Sequence, residues 1–177
     1  MGDPTDPISK LGPIARFDLF INLKRQIIHS LEGGAKIANG DQLDFSKDID
    51  DPNYNIEKGN YQRPIVLENI GKNCLAYSEE IFGPIFSLYK FSDYNEALEL
   101  ANDTEFGLGA SIMTRDLKKA DEFAKKLDCG MVFINSSTFS DSRLPYGGTK
   151  NSGYGRTSAD TAFYEFTNNK LISSKLK

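Results

Sequence analysis

Residues 94–135 read YNEALELANDTEFGLGASIMTRDLKKADEFAKKLDCGMVFIN, and the fold class is legible in them. Tyr94, Ala97, Leu98 and Ala101 fall on one helical face; Leu117, Ala120, Phe123, Ala124 and Leu127 fall on a second, with Asp116 as a candidate cap. Leu108 to Met113 and Met131 to Ile134 are short β-type runs, the last continuously apolar as a buried central strand would be. With Ile85 to Phe91 upstream, the order is strand–helix–strand–helix–strand with short connections. That order predicts an α/β fold with a parallel sheet and right-handed crossovers.

Working outward, Leu19, Leu23, Ile27 and Leu31, flanked by Phe20 and Ile28, predict a core-facing helix from Asp18 to Glu32. Asp18 suits its N-terminal end and Gly33-Gly34 its stop. Ala35 to Ala38 and Pro64 to Leu67 read as short strands. Between Asp41 and Glu57 lie six acids, one Lys and Pro52 with no sustained period, which predicts a solvated surface loop. After Asn135 comes a turn-rich stretch, SSTFSDSRLPYGGTKNSGYGR, and then Thr161 to Leu176. The second half of that tail, with Phe166, Leu171 and Ile172, reads as a strand at the chain end, which calls for a partner strand from another chain or domain.

Composition bounds the function classes. The 177 residues include 39% hydrophobic and 26% charged, with 12 Phe and 8 Tyr, as expected of one folded domain with a core. A net charge of −4 leaves no basic field for a phosphate backbone, so nucleic acid is not an expected partner. No apolar run approaches the roughly 18 residues that span a bilayer, and MGDPTDPISK lacks the pattern of a signal peptide. No membrane association and a cytoplasmic location are the expectations. Two cysteines, Cys74 and Cys129, and one His29 make neither a four-ligand zinc cage nor a disulfide framework, so no metal site is expected.

Three features could carry chemistry. In EEIFGP, Glu79 to Pro84, a carboxylate and an aromatic directly precede a strand. Two carboxylate oxygens match the adjacent hydroxyls of a sugar diol, and Phe82 could pack against a flat ring; a charged loop residue beside a core Phe is the bland alternative. The glycines from Gly147 to Gly155 suit either an anion cradle or tight turns and close packing. Cys74 and Cys129 are nucleophile candidates by type, yet neither has a base near it in sequence.

The ordered set GDPTDPISKLGPIARFDL, GNYQRPIVLENI, EEIFGPIFSLYKF, ANDTEFGLGASIMTRD, GMVFIN, LPYGGTKNSGYGR and YEFTNNK resembles, from end to end, the C-terminal third of the aldehyde dehydrogenase superfamily. GPIARFDL and the Ser-Asp-x-Arg stretch are most similar to the NAD(P)-dependent succinate semialdehyde dehydrogenase branch. The resemblance implies that residues 1–160 are the C-terminal portion of the catalytic domain and residues 161–177 an oligomerisation strand and tail. It implies that Glu80 holds the nicotinamide ribose of NAD or NADP and that Phe82 lies beside the nicotinamide. It implies that Asn135 to Asp141 and Tyr146 wall the aldehyde pocket, with Ser140 and Asp141 its most substrate-facing part. Thr149, Asn151, the Arg156-Thr157 pair and the long Asp41–Glu57 loop depart from the family pattern and leave loop geometry and substrate class open.

The resemblance also implies a reaction: oxidation of an aldehyde, succinic semialdehyde in the nearest branch, by attack of a cysteine thiolate, hydride transfer and thioester hydrolysis by a Glu base. In the family those groups precede the segment matched here. The expectation is an enzyme piece with no catalytic nucleophile of its own and no activity alone. Its expected partners are the aldehyde, the N-terminal part of the enzyme and further copies of the chain through residues 166–176. The rival expectation is a non-catalytic assembly module that uses the tail to pair with other chains.

Overall fold

A computed structural model describes residues 1–38 and 59–176. The Asp41–Glu57 stretch lies outside the described residues. The chain forms two compact units, Met1–Lys90 and Phe91–Lys177. No shift in composition marks that boundary.

In the first unit, helix α1 (Phe17–Glu32) carries the predicted apolar face. Phe20, Leu23 and Ile27 are buried on it, at the i, i+3, i+7 spacing of one helix face. Arg16, in extended conformation, occupies the cap position, and Asp18 sits in the first turn, where a carboxylate favours the helix dipole. The stop is where Gly33-Gly34 places it: the amide of Gly34 donates to the Leu31 carbonyl and that of Ala35 to Ser30, satisfying the last-turn carbonyls. Strand β1 (Lys36–Ile37) pairs antiparallel with β2 (Ile65–Glu68), and β2 pairs parallel with β3 (Ile85–Ser87). Along β2, Ile65 and Leu67 turn inward and join Leu23, Ile27 and the Ala76 of a one-turn helix, α2 (Leu75–Ser78), in the core of the unit.

In the second unit, α3 (Tyr94–Asn102) begins at Asp93, whose carboxylate accepts from the amides of Asn95 and Glu96 at 2.8 and 3.0 Å. Strand β4 (Phe106–Gly107) leads into β5 (Gly109–Ile112), and β5 pairs parallel with β6 (Met131–Ile134). Between them α4 (Leu117–Ala124) makes the crossover. Its cap is the predicted one, with Asp116 accepting from the Lys119 amide at 3.0 Å. Tyr94 and Phe123 meet edge to face at 5.2 Å, one contact between the two predicted apolar faces. Strand β7 (Thr149–Lys150) pairs antiparallel with β4, and α5 (Thr161–Glu165) follows.

The expected continuous sheet is corrected. The strand–helix–strand unit exists as β5–α4–β6, whereas β3 takes its ladder from β2 and shares none with β5 among the described residues. Periodicity identifies strands without saying which pair, and β3 sits where the buried alternation of β2 provides a partner. The strand at Ile85 ends at Ser87 rather than Phe91. Among the described residues, 166–176 make no sheet ladder, and Phe166, Leu171, Ile172 and Leu176 are exposed.

Candidate functional site

The candidate residues fall into two groups, one in each unit. In the first, α1 holds the segment from α2 to β3 at three points. The Ser30 hydroxyl accepts the Ala76 amide at 2.9 Å and donates to the Gln26 carbonyl at 2.7 Å. One turn earlier, Nε2 of Gln26 donates to Oε2 of Glu79 at 2.8 Å and to the carbonyl of Glu80 at 3.1 Å. A further turn back, Leu23 presses on Gly83, where an added Cβ would come within 2.5 Å of a leucine methyl. The contact is with the tip of a flexible side chain, so the approach is close without making glycine obligatory.

The two carboxylates of the EEIFGP string are thereby separated in role. Glu79 is engaged: Gln26 and then the Arg25 guanidinium, at 2.8 Å, hold its carboxyl below the usual range. Glu80 contributes its carbonyl to Gln26 and keeps an exposed side chain. Two residues on, Phe82 is 70% exposed, an unusual situation for a phenylalanine in a folded unit. Its ring helps line an open pocket of about 460 Å³ with Pro13, Ile14, Ala15, Leu19, Ile81 and Gly83. The Ile14 wall is fixed by Asn60, whose carbonyl accepts the Ile14 amide at 2.8 Å and whose side-chain amide donates back to the Ile14 carbonyl at 3.3 Å. An apolar floor beside an exposed ring and an unengaged carboxylate suits a ligand with one flat face and one hydroxyl-bearing edge.

In the second unit, an open pocket of about 310 Å³ is lined by Leu108, Gly109, Met131, Thr138, Phe139, Ser140 and Tyr146. The structure thus brings Ser140 and Tyr146 together across one cavity, at the end of the parallel β5–β6 pair. Asp141 is not in that lining. Its carboxylate receives both Nε and a terminal nitrogen of Arg143, at 2.9 and 2.6 Å, and the Arg143 amide at 2.9 Å. This lowers the Asp141 carboxyl from its ordinary range, first through the Arg143 side chain. The fork-to-fork pair closes a turn directly after Ser140, leaving Arg143 exposed. Thr138 and Phe139 fall within the Asn135–Asp141 stretch that the resemblance gives to the pocket wall, whereas the pairing of Arg143 with Asp141 is found only in the structure.

The glycine-rich loop answers its two readings in favour of packing. Tyr146 and Thr157 exchange both backbone hydrogen bonds at 2.8 Å, and Arg156 reaches back to donate to the carbonyls of Gly148 and Gly155. On Gly130, just before β6, a Cβ would lie 1.8 Å from the Gly147 carbonyl oxygen, so two backbones touch. The loop's donors are also used internally: the amides of Asn151, Ser152 and Gly153 go to the carbonyls of Glu105, Thr149 and Lys150, and that of Arg156 to the Glu165 carboxylate, which favours packing over an anion cradle.

The cysteines are packing residues. Cys74 is 1% exposed at the start of α2. Cys129 donates to the Met131 carbonyl, and burial raises its thiol above the ordinary value. Among the described residues no group of His, Cys, Asp or Glu is arranged to hold a metal ion, and no helix is long and apolar enough to cross a membrane.

An α/β chain with these two sites belongs to the aldehyde dehydrogenase family, whose model matches residues 1–172. Among its relatives is Sad, the NAD(P)+ succinate semialdehyde dehydrogenase of Escherichia coli, 42% identical over 97% of this chain and 35% of that protein. The NADP+ succinate-semialdehyde dehydrogenase of Deinococcus radiodurans is 37% identical over 97% of this chain and 34% of its own length. Of solved structures, succinic semialdehyde dehydrogenase from Streptococcus pyogenes with NADP+ superposes with a TM-score of 0.83 at 35% identity, over 98% of this chain and 36% of that one. Betaine aldehyde dehydrogenase from Staphylococcus aureus with NAD+ gives 0.77 at 27% identity, over 94% and 34%. The chain spans about a third of the length of the relatives it matches.

Proposed function

We propose that this chain is the C-terminal portion of the catalytic domain of an NAD(P)+-dependent aldehyde dehydrogenase acting on succinic semialdehyde. In this reading residues 161–177 form the oligomerisation strand and tail. Glu80 holds the nicotinamide ribose diol, Phe82 flanks the nicotinamide, and Ser140 and Tyr146 line the aldehyde pocket, with Asp141 beside Ser140 engaged by Arg143. The observation that carries the reading is the contrast between adjacent acids: Glu79 is tied down by Gln26 and Arg25, while the Glu80 carboxylate stands exposed two residues from an exposed Phe82 ring.

The residues present fit one side of a nicotinamide nucleoside. The apolar pocket beside Phe82 suits the flat ring, and a carboxylate with two acceptor oxygens suits the two ribose hydroxyls. When bound, such a cofactor takes up a hydride from the aldehyde carbon. This chain's own residues orient and enclose: Glu80 fixes the ribose, and the Ser140 hydroxyl is a donor toward the distal carboxylate of a short semialdehyde. Buried Cys74 and hydrogen-bonded Cys129 are poor nucleophiles, so the reacting thiolate comes from sequence outside these 177 residues. Among its partners are therefore the N-terminal portion of the enzyme and further copies of the chain.

The test is an assay for NAD(P)H formation with succinic semialdehyde. The chain alone is expected to be inactive, and supplying the N-terminal portion of a family member is expected to restore turnover. Turnover by the chain alone overturns the reading. The exposed apolar tail, with Leu171 at 92% and Leu176 at 96%, favours a second reading as a non-catalytic assembly module. Stable binding of another protein without any N-terminal portion would select it.

A further inference from the structure

We infer that Gln26 is a positioning residue for the cofactor side of the site, its side-chain amide fixing the backbone that aims Glu80 and Phe82. The inference rests on the reading of Glu80 given above and adds a residue from a distant helix to it.

Gln26 is 3% exposed, so its side chain has one set of surroundings rather than many. Both atoms that Nε2 reaches, Oε2 of Glu79 and the carbonyl oxygen of Glu80, are acceptors only. The amide must therefore present its NH₂ group to them, and its orientation is determined by chemistry. The bond to the Glu80 carbonyl restrains the Glu80–Ile81 peptide plane, which adjoins the Glu80 Cα, and the bond to the Glu79 carboxylate anchors the residue just before it. That plane sets the direction in which the Glu80 side chain leaves the backbone.

The neighbouring contacts make the hold local. Ser30, one helical turn away, grips the front of α2 through the Ala76 amide, and Leu23 contacts Gly83 beyond Phe82. Gln26 lies between these two anchors and is the one that touches Glu80 itself. Arg25 also reaches Glu79, but from an exposed position and through the carboxylate alone, so water can replace it. A loop that presents a carboxylate and an aromatic to a ligand gains affinity when it is ordered before the ligand arrives.

Gln26→Met keeps the length of the side chain and removes both donors without adding charge or a large cavity. It is to be made in the chain complemented with the N-terminal portion of a family member, beside Arg25→Met and Glu80→Ala. Two readouts apply: the dissociation constant of NAD(P)+ by titration calorimetry, and amide hydrogen exchange across residues 79–83 without cofactor. Gln26→Met is expected to weaken NAD(P)+ roughly 5- to 20-fold, as loss of a hydrogen bond to a charged group does. It is expected to speed exchange at 80–83 about tenfold while the aldehyde KM stays within about twofold. Arg25→Met is expected to change the cofactor constant less than about threefold. If Glu80→Ala weakens NAD(P)+ and Gln26→Met does not, the inference fails and the ribose assignment stands. If Glu80→Ala has no effect, the ribose assignment itself fails, and exchange at 80–83 still decides whether Gln26 orders the segment. Should Gln26→Met not fold, Gln26→His, which retains one N–H donor, replaces it and is expected to give an intermediate effect on both readouts; unchanged exchange in that variant overturns the inference.

Discussion

The hydroxyl of Ser30 accepts the main-chain amide of Ala76 at 2.9 Å, tying the last turn of a sixteen-residue helix to the first turn of a four-residue one. An isolated four-residue helix has no intrinsic stability in water, because nucleation costs more than one turn returns. Helix α2 therefore exists because α1 supplies a partner for an amide that would otherwise be buried without one. Ser30→Ala is expected to destabilise the fold by about 1–3 kcal/mol, the cost of an unsatisfied buried donor. Urea unfolding should show a lower midpoint with an unchanged slope.

Gly130 tests the reading of the glycine-rich loop as a packing device. A methyl placed 1.8 Å from the Gly147 carbonyl oxygen meets the backbone of Gly147 and Gly148, which cannot swing away as a flexible side chain would. Gly130→Ala is expected to cost at least about 3 kcal/mol, at the upper end for an overpacked site. The check is thermal unfolding. A variant that melts within a degree or two of the parent would show that the two backbones are not in register as described.

Glu79 contributes a pH dependence whose sign follows from its partners. Donation by Gln26 and then Arg25 lowers its folded value below the ordinary 4.5. Stability from this group is fully present above the unfolded value and is lost as pH falls through the lowered folded one. The partly exposed carboxylate keeps the effect small. Glu79→Gln should flatten the stability curve below about pH 5 relative to the parent, a window set by the ordinary carboxylate range. Identical acid limbs for parent and variant would remove the assignment.

The two site groups make separable demands in the complemented enzyme. Glu80→Ala is expected to raise the NAD(P)+ dissociation constant about 10- to 100-fold, since two hydrogen bonds to a charged acceptor are lost. Ser140→Ala is expected to raise the KM for succinic semialdehyde several-fold and to leave the cofactor constant alone. Steady-state kinetics with each substrate varied in turn distinguishes them. If Ser140→Ala affects only the cofactor, the aldehyde-pocket assignment is wrong.

The tail makes a prediction about assembly. Deleting residues 166–177 removes exposed Phe166, Leu171, Ile172 and Leu176. Light scattering of the complemented enzyme should show a smaller assembly, and an unchanged mass would dismiss the oligomerisation strand.

Much was legible in the sequence because it is local. The helical spacing through Leu23 and Ile27, the Asp116 cap and the glycine stop after Glu32 each depend on a few neighbouring residues, and each is found in the structure. The apolar run of β6 does form a strand, but one partly buried in a two-stranded sheet rather than a buried central one, because burial depends on what packs on both faces. The order of motifs likewise carried the family. Long-range pairing was not legible: β3 lies beside β2 because buried Ile65 and Leu67 give β2 a packed face on α1, a relation that no periodicity within β3 encodes. Nor could the string EEIFGP say which of its two acids is free. The tertiary structure decided that by bringing Gln26 and Arg25 from more than fifty positions away onto Glu79, because hydrogen bonds act over about 3 Å in space and are indifferent to distance along the chain.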